Sequence, residues 1–370
     1  MKKFTFLIAL IIMVVAANAQ TEVTIKDGDL NNDATWTNDN VYMLDGFVFL
    51  EQGTLTIEAG TVIKGLKNPT TGDNASALII TKNAKINAVG TAEMPIIFTA
   101  EADDVDDPTD LDETDRGEWG GVILLGDAVL GFNTETSQIE GIPTTETRAN
   151  FGGTNDTHNA GVMKYVSIRH GGAALEPDKE INGLTFGGVG SETVIEHVEV
   201  YANDDDGFEW FGGTVSCKWL VSAFNKDDAF DYDYGWRGNG QFWFVIQAED
   251  LSDNGGEHDG AKDDDRTPFS KPTIYNATYI GSGIDNTVAK NSTALHFRDN
   301  AGGMYANSIF TDFAKHAIEV EDLPDGIDSR LNMENGDLVL KNNIWFGFGA
   351  GSELNAGANG IIRATEDAED

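Results

Sequence analysis

Eight residues, Asn203-Asp204-Asp205-Asp206-Gly207-Phe208-Glu209-Trp210, recur 22 residues later as Asn225-Lys226-Asp227-Asp228-Ala229-Phe230-Asp231-Tyr232. If the two copies stack as successive coils, Asp205 lies beside Asp227 and Asp206 beside Asp228, about 4.8 Å apart. Carboxylates at that distance repel strongly. They must bind a cation, hold protons or splay into water. Hard oxygens in excess suit Ca²⁺, and its candidate ligands are Asp205, Asp206, Glu209, Asp227, Asp228 and Asp231. A shared proton would instead make Asp206 and Asp228 an acid pair. Inverting glycosidases need two such groups roughly 6.5–9.5 Å apart. The third outcome is a solvated turn, with Asn203 and Asn225 forming a side-chain ladder and the Asp residues capping turns.

Other residues could complete a site. A polysaccharide lyase needs a base beside a cation-held uronate, and Arg169, Arg237 and Arg298 are candidates. Arg237 follows the ladder directly, in Gly235-Trp236-Arg237-Gly238, and joins Asp206 and Asp228 as a catalytic candidate. Tyr234 and Trp236 fall in a loop and are placed to stack on a sugar ring. Arg169 and His170, in the Arg-His-Gly-Gly preceding the Asp clusters, are further candidates for contacting substrate. Glu257, His258 and Asp259 offer metal ligands in a Gly-rich loop, although one His without a second is a weak zinc signal. Asp27, Asp29, Asn31 and Asp33 alternate like a calcium loop but lack its closing Glu, which favours a cap on the first coil. The acidic stretch 101–116 reads as a solvated loop, with Asp110, Asp112 and Asp115 as its candidate cation ligands.

The elements that position these residues are short strands. KYVSI (164–168), EHVEV (196–200), KWLVS (218–222), WFVIQ (243–247), NATYI (276–280), NSIFT (307–311) and NIWFG (343–347) share one pattern. Their third position is apolar in six of the seven, which marks it as inward-facing. A second strand recurs as GLTF (183–186), GFEW (207–210), AFDY (229–232), ALHF (294–297) and AIEV (317–320). Both of its apolar positions point inward, so Trp210 and Tyr232 belong to the core while Glu209 and Asp231 face solvent and stack on each other. The Asp clusters occupy the turn between the two strands. Helix start signals and 3.6-residue periodicity are missing throughout. A period in the low twenties, with loops inserted between fixed strands, predicts a β-solenoid. The Thr/Asn/Gly-rich insertion 132–161 is of the kind that lines a binding face.

Residues 1–19 have the form of a signal peptide: Lys2 and Lys3, an apolar run from Phe4 to Ala16, then Ala17-Asn18-Ala19. The mature chain then carries 22 basic and 62 acidic residues, a balance of −40. That excludes nucleic acid and anionic membranes as natural partners. No later apolar run is long enough for a transmembrane helix. The only cysteine, Cys217, cannot form an internal disulfide, so packing or ions must stabilise the chain.

The segments LTIEAGTVIKG, GEWGGVILLGDA, NDDDGFEWFGGTV and DDAFDYDYGWRGNGQFWFVIQ resemble the secreted right-handed parallel β-helix proteins of Bacteroidetes. Those are pectate-lyase-like in fold and often carry a type IX secretion sorting domain, which is not evident after residue 350. The resemblance implies an all-β chain: signal peptide 1–19, a right-handed parallel β-helix over 20–350 and an acidic tail over 351–370. The expected function is a secreted or cell-surface, calcium-stabilised protein that binds extracellular polysaccharide or acts as an adhesin. The alternative is a polysaccharide lyase or glycoside hydrolase working at the same Asp face.

Overall fold

The computed structural model describes residues 20–365, apart from 133, 175–178, 263–265, 289–291, 325–326 and 358. The signal peptide and the extreme acidic end therefore lie outside the described residues. The chain winds as a right-handed parallel β-helix, the hand that parallel crossovers adopt almost without exception. One face is a ten-stranded parallel sheet running from Phe47–Leu50 through Leu184–Gly187, Phe208–Phe211, Phe230–Asp233, Glu257–Asp259 and Leu295–Arg298 to Ile362–Thr365. Eighteen other strands form a second sheet that makes two faces meeting at a corner, and Ser137–Gln138 and Asn150–Phe151 pair antiparallel apart from it. Gly161–Arg169, Val194–Tyr201 and Ser216–Ala223 are long enough to run through both faces.

The 22-residue repeat has the expected register. Phe208 pairs with Phe230, Glu209 with Asp231 and Trp210 with Tyr232. The inward residues build an aromatic spine in which Trp210 lies 4.8 Å from Trp236 and 5.2 Å from Trp243, ring centre to ring centre. Each of these side chains is at least 99 % buried, so each carries several kcal/mol of the fold's stability.

Three expectations need correction here. The recurring first strand slips in the later coils. Thr278 and Ile309 align with outward-facing Phe244, while Tyr279 and Phe310 turn inward instead. A one-residue slip exchanges the two faces of a strand. The coil pattern also continues past residue 350, because Ile362–Thr365 pairs in parallel with Ile318–Glu321. Finally, one helix does form, at Ser329–Asn335, inside an inserted loop. Asp328 caps its start and Gly336, at φ 80°, its end.

The corner holds a feature that sequence reading missed. Tyr165, His197, Trp219 and Phe242 all take left-handed backbone with φ of 51–59°. Non-glycine residues rarely adopt this conformation. Here their rings stack on the surface at 4.4, 4.4 and 5.8 Å, and stacking helps to offset the backbone cost.

The insertion 132–161 decides which part of the ten-stranded sheet is dry. Its Ile139, Ile142, Ala149 and Phe151 pack on outward Phe49, Ile79, Ile123 and Leu125. Beyond that cover, the outward column changes from Ile123 and Thr185 to Glu209, Asp231 and Glu257. The acids thus begin where the apolar lid ends.

Candidate functional site: a carboxylate-lined groove

The turns preceding the ten-stranded sheet and the sheet's outward column together enclose a cavity of about 430 Å³. Ten carboxylates line it: Asp204, Asp205, Asp206, Glu209, Asp227, Asp228, Asp231, Glu257, and Glu140 and Glu180 from the inserted loops. Among the described residues, two cations share the lining, Lys226 and Arg298. Lys226 Nζ lies 3.0 Å from Asp204, and Arg298 contacts Glu257 at 2.8 Å and Asp259 at 2.7 Å.

The backbone explains why these acids stay together. Asp206 Oδ1 accepts the N–H of Asp228 at 3.0 Å, and Asp228 Oδ1 accepts the N–H of Asn254 at 2.6 Å. Each carboxylate therefore spends one oxygen tying its coil to the next. Asn203 and Asn225 reinforce the turn from within, the Asn225 side chain accepting the Asn203 N–H at 2.8 Å. The turn ladder and the acid cluster are thus one structure, not alternatives.

Glu209 is 93 % buried, against the expectation that it faces solvent. It points outward from the sheet, but the groove walls and Asn182, which donates to it, enclose it. Asp231 is half-buried beside it. Burial pushes the carboxyls of Asp205, Asp206, Glu209, Asp228 and Asp231 well above the ordinary range, and their mutual repulsion pushes them further. Burial likewise pushes Asp259 up to about 7, despite the lowering pull of Arg298. Without a counter-ion the groove favours protonated carboxyls.

Three carboxylate triads have ligand geometry. Asp205, Asp206 and Asp227 bring oxygens within 4.8 Å of one another, as do Asp206, Glu209 and Asp231, and Asp227, Asp228 and Asp253. A cation between such oxygens would remove the repulsion. A second observation points the same way. Asn182, only 6 % exposed, has its Oδ1 buried on the groove wall without a hydrogen-bond partner among the described residues, and Asp231 Oδ1 is in the same position. Amide and carboxylate oxygens are the donors a hard cation takes.

The remaining candidates disperse. Arg237 does not line the groove. Its guanidinium holds Asp156 at 3.0 Å and the Gly235 carbonyl, so the structure gives it a structural role and not the catalytic one expected. Trp236 is fully buried in the aromatic spine and donates to the Val215 carbonyl, which corrects its assignment to a sugar platform. Tyr234 is half-buried against Phe132 and Phe211, under the insertion, and does not line the groove. Arg169 and His170 line a separate cavity of about 300 Å³ beneath the acidic loop. His170 is buried, with Nδ1 2.6 Å from the Asp115 carbonyl.

Asp110, Asp112 and Asp115 accept backbone N–H groups of their own loop, so they cap turns. Asp33 accepts the Thr54 N–H and Asp27 pairs with Arg148, consistent with a first-coil cap. His258 points into the core, stacked 4.0 Å from Tyr232 and bonded to Tyr305. Its neighbours Glu257 and Asp259, one residue to either side, do lie on the outer face. Of the three lyase-type arginines, Arg298 alone reaches the groove. Glu140, Glu180, Asn182 and Asp253 were not identified from sequence. They lie in inserted loops or break the 22-residue spacing, so no repeat signal marks them.

The profile of the pectate-lyase-like beta helix domain matches residues 28–357. The chain belongs to this family. No curated protein and no solved structure matches it. Among the described residues, no helix is long and apolar enough to cross a membrane. The family fits a polysaccharide-related role in general terms.

Proposed function

We propose that this is an exported or cell-surface β-helix protein whose acidic groove binds Ca²⁺ and, through it, extracellular polysaccharide, as a carbohydrate-binding protein or adhesin. The observation that carries the proposal is the groove itself: ten carboxylates against two cations around about 430 Å³, with three triads at ligand spacing. Asp205, Asp206, Glu209, Asp227, Asp228 and Asp231 are the proposed ligands, joined by Asp253 and the Asn182 oxygen. The leader-like residues 1–19, and the resemblance to secreted Bacteroidetes proteins with type IX sorting, support placement outside the cell. A panel of acidic and neutral polysaccharides tests the reading. Retention in calcium that is lost in chelator supports it, and retention indifferent to both overturns it.

One observation favours a second reading, a polysaccharide lyase. Arg298 lies in the groove, where a base is needed. Two carboxylates hold its guanidinium protonated in the ion-free state, so it would act as a base only after a cation had engaged them. Unsaturated products from an acidic polysaccharide, abolished in Arg298→Gln, would establish lysis over simple binding.

A further inference from the structure

A second cavity, of about 460 Å³, lies farther along the helix, and its electrostatic character is opposite. Its charged lining is Lys315, His316 and Arg363, and alanines and glycines form most of the rest. No carboxylate lines it among the described residues. In a chain with 62 acidic and 24 basic residues, a cavity lined by bases alone is a departure from the average. The fold places it in line with the acidic groove. The turn column runs from Asp228 to Asn254, from Asn254 to Thr293 and from there to His316, each joined to the next coil by a hydrogen bond. Three coils separate Asp228 from His316, about 14 Å at the strand spacing.

We propose that this pocket binds an anionic group, a carboxylate or sulfate, of the same sugar chain that the acidic groove holds through calcium. The proposal rests on the polysaccharide reading above but uses different atoms. His316 Nδ1 is buried and has no hydrogen-bond partner among the described residues. As the proton-bearing nitrogen of a neutral ring it is a donor with nothing to donate to. Glu319 contacts Arg363 at Nη1, 2.9 Å away, and so positions a guanidinium that carries five N–H donors in all. Burial lowers the His316 pKa; the Glu319 carboxylate raises it, and the positive charges of Arg363 and Lys315 lower it again, so three basic groups share one small space. An entering anion would relieve their repulsion. A chain lying along the axis would meet a calcium bridge at one end and direct charge-assisted hydrogen bonds at the other.

Calorimetry on the mature chain in chelator and low salt isolates this pocket from the calcium sites. The probes are galacturonate oligomers, inorganic sulfate and a neutral xylose oligomer. The expected result is anion binding weakened about ten-fold by Lys315→Gln and by Arg363→Gln, the scale of one charge-assisted contact. Lys341→Gln, on an exposed strand end, should leave it unchanged. Galacturonate binding without sulfate binding assigns a carboxylate, and the reverse assigns a sulfate. Anion binding that is absent, or that both pocket variants leave intact, overturns the proposal. Lys315→Gln removes an exposed side chain, so it stays informative if Arg363→Gln frays the last coil. Loss of calcium binding alone would count against the groove reading and not against this one.

Discussion

The carboxylate of Asp206 accepts the backbone N–H of Asp228, one coil along, at 3.0 Å. One oxygen of Asp206 therefore holds the solenoid together while the carboxylate's charge faces nine other acids. The two demands can be separated by substitution. Asp206→Asn keeps an acceptor oxygen and removes a charge, whereas Asp206→Ala removes both. In chelator, the Asn variant should be at least as stable as the parent. The Ala variant should lose about 1–3 kcal/mol, the cost of an unpaired buried N–H. In calcium the order should reverse, with the parent most stable. Denaturant melts in both conditions check this.

The raised carboxyl pKa values set a pH dependence. The folded state binds protons more tightly than the unfolded chain at Asp205, Asp206, Glu209, Asp228, Asp231 and Asp259. Their contribution is fully present below the ordinary carboxylate range. It is lost as pH rises through the folded values, of which Asp259 lies at about 7. Burial favours neutral His258, which opposes this trend below about pH 6.5. The ion-free protein should therefore melt at a higher temperature near pH 5.5 than near pH 8. Calcium should abolish that slope, because it replaces the protons. Thermal melts across pH, with and without chelator, read both effects.

Arg298 bonds both Glu257, at 2.8 Å, and Asp259, at 2.7 Å. Arg298→Gln should destabilise the ion-free protein markedly, since removing one partner leaves buried charge uncompensated. The loss should shrink in saturating calcium. Equal losses in both conditions would mean that the cation does not reach these acids.

Trp236 shows where sequence reading stops. Its Gly-rich neighbours suggested a loop, yet the ring stacks 4.8 Å from Trp210 in the core. Trp236→Ala should cost about 3–5 kcal/mol. Tyr234→Phe should leave glycan binding unchanged. Chemical denaturation and the glycan panel test the pair.

The repeat at Asn203 and Asn225 was legible because both copies fall at one spacing, and stacking made Asp205 and Asp206 meet Asp227 and Asp228. Inward Phe208, Trp210, Phe230 and Tyr232 followed from alternation alone. Glu257 and Asp253 were not legible as members of the ladder, because the following coil is 26 residues long and the next 39. Glu209 was read as solvated because alternation tells only which face a side chain takes. What covers that face comes from Glu140 and its insertion, far away in sequence. Thr278 and Ile309 were misassigned because apolar residues occupy both faces of the late strands, which leaves register unspecified.

Calcium titration of the mature chain by calorimetry tests the central claim most directly. The groove predicts binding of one or more ions, lost in an Asp205→Asn/Asp228→Asn double variant and accompanied by a higher melting temperature than in chelator. A chain that takes up no calcium, and melts at the same temperature in calcium and in chelator, would contradict it.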